Sequence, residues 1–394
     1  MSCGYLGVVR YIKNEKNKMR NTLICTVGTS LFESNLKRLS ESSPECPENW
    51  EAIKAQFDNS NWNELAKELL KVNPSNRTCG AEINTIEEAK KKKWLELNNI
   101  ILLVSDTEAG KNTGYVLKKY FEGRDDLNLQ QVEFKVIDQL QDAVPKDFKI
   151  HGLRNLVRFV GDFIQRFGNE NIAIDATGGY KAQIAIAVLI GQALDIPVYY
   201  KHERFSEIID FPPLPISLDY DILGRNSDIL TDFERGKLYA KSELDNFDEK
   251  LRVFLTEIEI DNEPIFELNA IGQLYLTSFR LRYPKVVNLK SLSDSERKEP
   301  TFRDDHYPIG FKDFVEKVWR ENKWIKTSWS LSYHGQQSIK GIGFTVKPDE
   351  NKNILIGTYQ DKNNFGARFQ VILADESSES LNWAADQLNQ KYRE

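Results

Sequence analysis

Five short apolar runs, three of them followed by a helical segment, fill the first half of this 394-residue chain, and no other feature restricts its fold as much. The runs are Thr22–Val27, Ile100–Val104, Val132–Ile137, Ile172–Ala176 and Ile196–Tyr200. They are rich in β-branched residues and show no polar alternation, the pattern of strands covered by helices on both faces. Amphipathic spacing over Tyr115–Phe121 and from Leu153 to Ile164, and a run of small residues over Ala182–Leu194, supply the helices. The expected fold is α/β, a Rossmann-like, doubly wound parallel sheet. In such sheets ligands sit beyond the carboxyl ends of the strands.

Three polar turns leave those ends. Gly28, Thr29 and Ser30 follow the first strand, Ser105, Asp106 and Thr107 the second, and Thr177, Gly178, Gly179, Tyr180 and Lys181 the fourth. Glycines let backbone amides approach a ligand, and a helix start presents unpaired N–H groups to an anion. Lys181 adds a point charge and Tyr180 a ring for stacking. A phosphate-bearing ligand follows. None of the turns is a Walker A or G-x-G-x-x-G loop, so ordinary mononucleotide or dinucleotide binding is not supported.

With 53 basic and 59 acidic side chains the net charge is −6, which argues against retention on nucleic acid by bulk charge. Cys3, Cys25, Cys46 and Cys79 form no C-x-x-C pair, so neither a zinc site nor a disulfide framework is expected, and a reducing cytoplasm fits best. No apolar run reaches the roughly 18 residues of a membrane span. The polar, lysine-rich stretch before Asn21, with Met19 just ahead of the first strand, reads as a frayed leader or an upstream start. Lys90–Lys93 reads as a solvated helix face, Trp62 and Trp94 as core, and His151 and His202 as structural.

Three prolines within Asp210–Asp219 favour extended chain and end the first domain, residues 20–216. Helical stretches over Phe233–Leu255, a hairpin turning at Asp261 and Asn262 and a helix opening near Asn269 form a middle winged-helix-like unit, 217–290. The polar linker Ser291–Pro300 leads to a small α+β domain, 300–394. There a helix, Phe311–Trp319, precedes strand-like runs at Trp324–Ser332, Ser338–Val346, Ile354–Tyr359 and Ala367–Ala374, and a helix, Leu381–Tyr392, closes the chain.

The trio "TVGTSL", "LLVSDTEAG" and "DATGGYKA", in this order, resembles the CARF domain of CRISPR-associated ancillary proteins over residues 20–216. The resemblance implies a homodimer holding a cyclic oligoadenylate, expected to be cyclic tetra-adenylate, across a twofold axis, with the eleven turn residues named above at the ligand. It requires no metal or other cofactor. Some such domains also cut their ring slowly through the ribose 2′-hydroxyl, for which Ser30 and Lys181 could position and neutralise the phosphate.

Family members usually carry an effector. The arginine-to-histidine spacing of HEPN ribonucleases is missing from His151, His202, His306 and His334. The acid-x-lysine of a PD-(D/E)XK nuclease has its letters only at Glu296–Lys298, in the polar linker. The helix, antiparallel strands and closing helix resemble a RelE-type mRNA interferase, which implies metal-free RNA cleavage by basic and aromatic groups. The candidates are Arg303, His306, Lys326, His334, Lys340 and Arg368, with Trp329 or Tyr333 to stack a base. Residues 301–394 hold 13 basic and 13 acidic side chains, so affinity for mRNA would come from elsewhere, such as a ribosome. A ligand-controlled transcription regulator, a stand-alone ring nuclease and a PD-(D/E)XK effector remain as alternatives.

Overall fold

In a computed structural model, residues 19–202, 207–216, 218–244, 248–283, 289–304, 306–332, 339–350 and 352–393 are described. They fall into two units, one of residues up to Gln141 with Asp162–Leu214, the other of Asp142–Gly161 with Pro215 onward.

The first unit opens with β1 (Arg20–Thr26), α1 (Trp50–Asp58), α2 (Trp62–Leu70), α3 (Ala81–Lys91), β2 (Leu95–Ser105), α4 (Glu108–Glu122) and β3 (Gln131–Ile137). After α5 (Pro145–Asp147) in the second unit, α6 (Leu153–Phe167) carries the chain back. Then follow β4 (Ile172–Asp175), α7 (Lys181–Leu194), β5 (Val198–Tyr200) and β6 (Ile209–Phe211). The sheet order is β3-β2-β1-β4-β5-β6, with β1 to β5 parallel and β6 antiparallel at the edge. Leu23, Ile24, Ile100 to Val104 and Ile172 to Ile174 are all buried, as their unbroken apolar runs demand. The strand order reverses between β1 and β4, the switch point at which such a sheet opens a crevice.

The second unit continues with α8 (Asp221–Arg225), α9 (Ser227–Glu234), β7 (Tyr239–Ala240), α10 (Lys241–Leu244), β8 (Leu255–Ile260), β9 (Glu263–Leu268) and α11 (Ala270–Arg282). Its small sheet has the order β7-β9-β8. The β8–β9 turn places Asp261 and Asn262 at φ 53° and 64°, the pair a two-residue hairpin needs. Asn269 caps α11 by accepting the Gly272 amide at 2.9 Å. Then α12 (Phe311–Glu321), β10 (Ile325–Ser330), β11 (Gly343–Asp349), β12 (Lys352–Gln360), β13 (Gly366–Leu373) and α13 (Ser378–Tyr392) complete it, with antiparallel sheet order β10-β13-β12-β11. Phe344, Leu355, Phe369 and Val371 pack on Phe311 and Val315 of α12 and Leu381 and Leu388 of α13.

Four expectations change. The antiparallel edge β6 occupies the start of the proline-rich boundary, because Pro212 and Pro213 end pairing only after Phe211. The helical stretches of Phe233–Leu255 are interrupted by a strand: Gly236, at φ 89°, ends α9 and the chain turns into β7 before α10. Residues 142–161 belong with the second unit. The middle and C-terminal segments keep separate apolar clusters yet share one unit. Polar bonds join them: Arg393 grips Asp232 through two 2.7 Å contacts, and Arg280 bridges Asp386 and Glu234.

Candidate functional site

At the switch point the exits of β1, β2, β4 and β5 enclose a cavity of about 440 Å³. The first exit contributes Gly28, Thr29 and Ser30, the second Ser105, and the fourth Thr177, Gly178, Gly179 and Tyr180. Three turns far apart in the sequence are thus brought together.

Close backbone packing explains the glycines. A Cβ on Gly178 would lie 2.2 Å from a Glu82 carboxylate oxygen and 2.6 Å from the Gly28 nitrogen. One on Gly28 would meet the Gly179 nitrogen at 2.8 Å, and Gly179 itself has φ +94°. Thr26 Oγ1 donates to the Gly178 carbonyl at 2.6 Å, fastening β1 to the turn after β4. The Gly28 amide donates to Glu82 Oε1 at 2.9 Å, and the Tyr180 amide to Gln183 Oε1 at 2.6 Å, so these two amides are already satisfied. Among the described residues no protein acceptor takes the amides of Thr29, Ser30, Gly178 or Gly179.

Two buried carboxyl groups lie beneath this floor. Asp175 Oδ1 accepts the Thr177 amide at 3.0 Å, while its Oδ2 and the Glu82 Oε2 have no partner among the described residues. Burial pushes the Asp175 carboxyl up to about 7, and the neighbouring Glu82 adds to the rise. Burial raises Glu82 as well, against the lowering effect of the Gly28 hydrogen bond.

Asp106, Thr107 and Lys181 do not line the cavity. Asp106 pairs with Lys111 at 2.9 Å, which holds its carboxyl below the usual range. Thr107 caps α4 by accepting the Gly110 amide at 3.0 Å. Lys181 is exposed at the first position of α7. The sequence reading missed Glu33, Ser34, Ala81, Tyr200 and Lys201, and His202, read there as structural, also lines the cavity. Its rule was sufficient to find the last three: β5 is another parallel strand whose carboxyl end meets the same edge.

In the second unit Arg303 lies 5.9 Å over the Trp329 ring. Trp329 pairs with Gln370, two residues along β13 from Arg368, so Trp329 and Arg368 share a sheet face. His306 is exposed beside Phe365 at 5.3 Å, and Lys326 and Lys340 are exposed elsewhere. Tyr333 and His334 lie outside the described residues. Glu296 caps its own turn, accepting the Ser293 amide at 2.9 Å, and Arg297 stacks on Trp319 at 4.1 Å. Among the described residues no three His, Cys, Asp or Glu side chains lie together as metal ligands, and no helix is long and apolar enough to cross a membrane.

Residues 77–214 match the model of a family described as CRISPR-associated protein (Cas_APE2256), a stretch that holds the exits of β2, β4 and β5. A solved structure of Can2 from Sulfobacillus thermosulfidooxidans in complex with cyclic tetra-adenylate is similar at 10% identity with a TM-score of 0.24, over 68% of this chain and 64% of that one. No curated protein matches.

Proposed function

We propose that the chain is a cyclic-oligoadenylate-responsive effector of CRISPR antiviral defence that acts as a homodimer and cleaves RNA. The observation that carries this reading is the switch-point cavity, walled by open amides, hydroxyls and the Tyr180 ring, in a unit whose residues 77–214 match a CRISPR-associated family. Amides and hydroxyls suit phosphodiesters, and a tyrosine ring suits a base. At about 440 Å³ the cavity stands low in the roughly 300–1,000 Å³ range of ligand pockets, so it takes part of an adenylate ring and leaves the rest to a second copy.

Helix α7 supports the dimer. Lys181, Ala185 and Leu189 are all exposed at a spacing of four, so one stripe of an otherwise apolar helix lacks a cover among the described residues. A twofold partner on that stripe would bring Lys181 to the shared ligand. Ring cleavage by Ser30 with Lys181 would then need both copies, since one chain's cavity contains only the serine.

For the effector, the antiparallel sheet with its two helices and the Arg303–Trp329–Arg368 face support a metal-free ribonuclease, with ribosome-bound mRNA as the substrate class. The transcription-regulator alternative is disfavoured by charge. The β8–β9 hairpin carries Glu257, Glu259, Asp261 and Glu263 exposed, and no lysine or arginine occurs between Leu255 and Phe279, the reverse of a DNA-binding wing.

The test is RNA cleavage with and without cyclic tetra- or hexa-adenylate in the presence of EDTA. Ring-dependent cleavage that survives the chelator and disappears on removal of residues 300–394 fits the reading. Cleavage retained after that truncation contradicts it.

A further inference from the structure

Among the described residues lining the cavity, Lys201 is the one lysine or arginine. Its backbone amide donates to Thr177 Oγ1 at 2.9 Å, and Thr85 Oγ1 donates to the same hydroxyl at 3.1 Å, so the residue is fastened to the turn that forms the floor. Its ammonium is turned to Glu88 on α3, with which it forms a close ion pair. Both side chains are largely buried, at 15% and 14% exposure. Glu88 has further partners: Oε1 accepts the Ile208 amide at 2.8 Å, and Lys92 stands 3.5 Å away, its ammonium over the Trp94 ring at 5.0 Å.

This arrangement has a direct chemical consequence. Removing one partner of a buried ion pair is costly because a charge is stranded. Here Lys201 can leave Glu88 without stranding it, since Lys92 and the Ile208 amide still hold the carboxylate. The carboxylate in the cavity wall, Glu33, is exposed and pairs with Lys37 at 2.9 Å.

We propose that Lys201 is the phosphate-binding cation of this cavity, held in reserve by Glu88 and exchanged from that carboxylate to a phosphodiester when a ligand enters. The inference rests on the reading of the cavity as a phosphate site and adds to it the residue that meets the charge. Glu88 is a positioning residue that competes with the ligand for Lys201.

Calorimetric titration of the full-length protein with cyclic tetra-adenylate, and separately with inorganic pyrophosphate, tests it on wild type, Lys201→Gln and Glu88→Gln. The carboxamide introduced by Glu88→Gln can still accept the Ile208 amide, and the melting temperatures of all three proteins report what stranding the Lys201 ammonium costs. The expectation is at least a tenfold loss of affinity in Lys201→Gln and a severalfold gain in Glu88→Gln, with steeper salt dependence in wild type than in Lys201→Gln. Pyrophosphate binding that depends on Lys201 supports the exchange even if the adenylate ring fails to bind, which would reject the ligand reading alone. Equal affinities in all three proteins, or no binding of either probe by wild type, would overturn the proposal, and a shared loss of melting temperature without a change in affinity would assign the pair a structural role only.

Discussion

Gly178 and Asp175 show how tightly single residues are constrained at the β4 exit. Gly178→Ala sets a methyl group against the Gly28 nitrogen and the Thr26 carbonyl, at 2.6 and 2.8 Å, where backbone cannot yield without separating β1 from β4. A loss of about 2–4 kcal/mol is expected in urea unfolding. Gly236→Ala is the control: its added Cβ meets nothing within 4 Å, and only the left-handed φ of 89° costs about 1 kcal/mol. Asp175 makes a prediction in pH. Burial keeps it protonated to about pH 7 in the folded protein, whereas in the unfolded chain it ionises at about pH 4. The folded state therefore retains a proton the unfolded state has released, so stability falls as pH rises from about 4 to about 7, by up to about 4 kcal/mol, and levels off above. Asp175→Asn keeps the acceptor for the Thr177 amide and cannot ionise. Melting temperatures from pH 4 to 8 should show the variant gaining on wild type across that window; parallel profiles would refute the assignment.

At the scale of elements, the bonds between the middle and C-terminal segments are the most exposed to test. Arg280 on α11 holds Asp386 of α13, itself 1% exposed, and Glu234 of α9. Arg280→Ala leaves two carboxylates without their cation and should cost about 3 kcal/mol, with Arg280→Lys recovering only part, since an ammonium cannot reproduce the two contacts to Asp386. Chemical denaturation followed at Trp383, which packs on Phe279, reports it. The elements themselves were largely legible. Strands β1 to β4, the β8–β9 turn, the Asn269 cap and the four C-terminal strands all follow from apolar runs, turn residues and caps in the sequence. What escaped depends on distant partners. Glu82 is an ordinary acid in an amphipathic helix until the fold sets it against Gly28 and Gly178, and Lys201 is one lysine among many until β5 delivers it to the cavity. The split of residues 142–161 from their neighbours leaves no local mark either, because α6 reads as one helix.

For the whole molecule, the proposed ligand site is completed by a second copy. Leu189→Glu on the exposed stripe of α7 should convert a dimer to monomers in sedimentation velocity and weaken cyclic tetra-adenylate binding at least tenfold, while the melting temperature of the fold stays near wild type because the side chain is 44% exposed. Under the proposed function, coupling to the C-terminal segment demands that the ring bind the active arrangement more tightly than the resting one, since a ligand of equal affinity for both shifts nothing. Isothermal titration of the wild-type protein with cyclic tetra-adenylate measures the central claim most directly. One ring bound for every two chains, with affinity lost in Lys201→Gln, is the predicted result; one ring per chain, or no heat with either the tetramer or the hexamer, would contradict it.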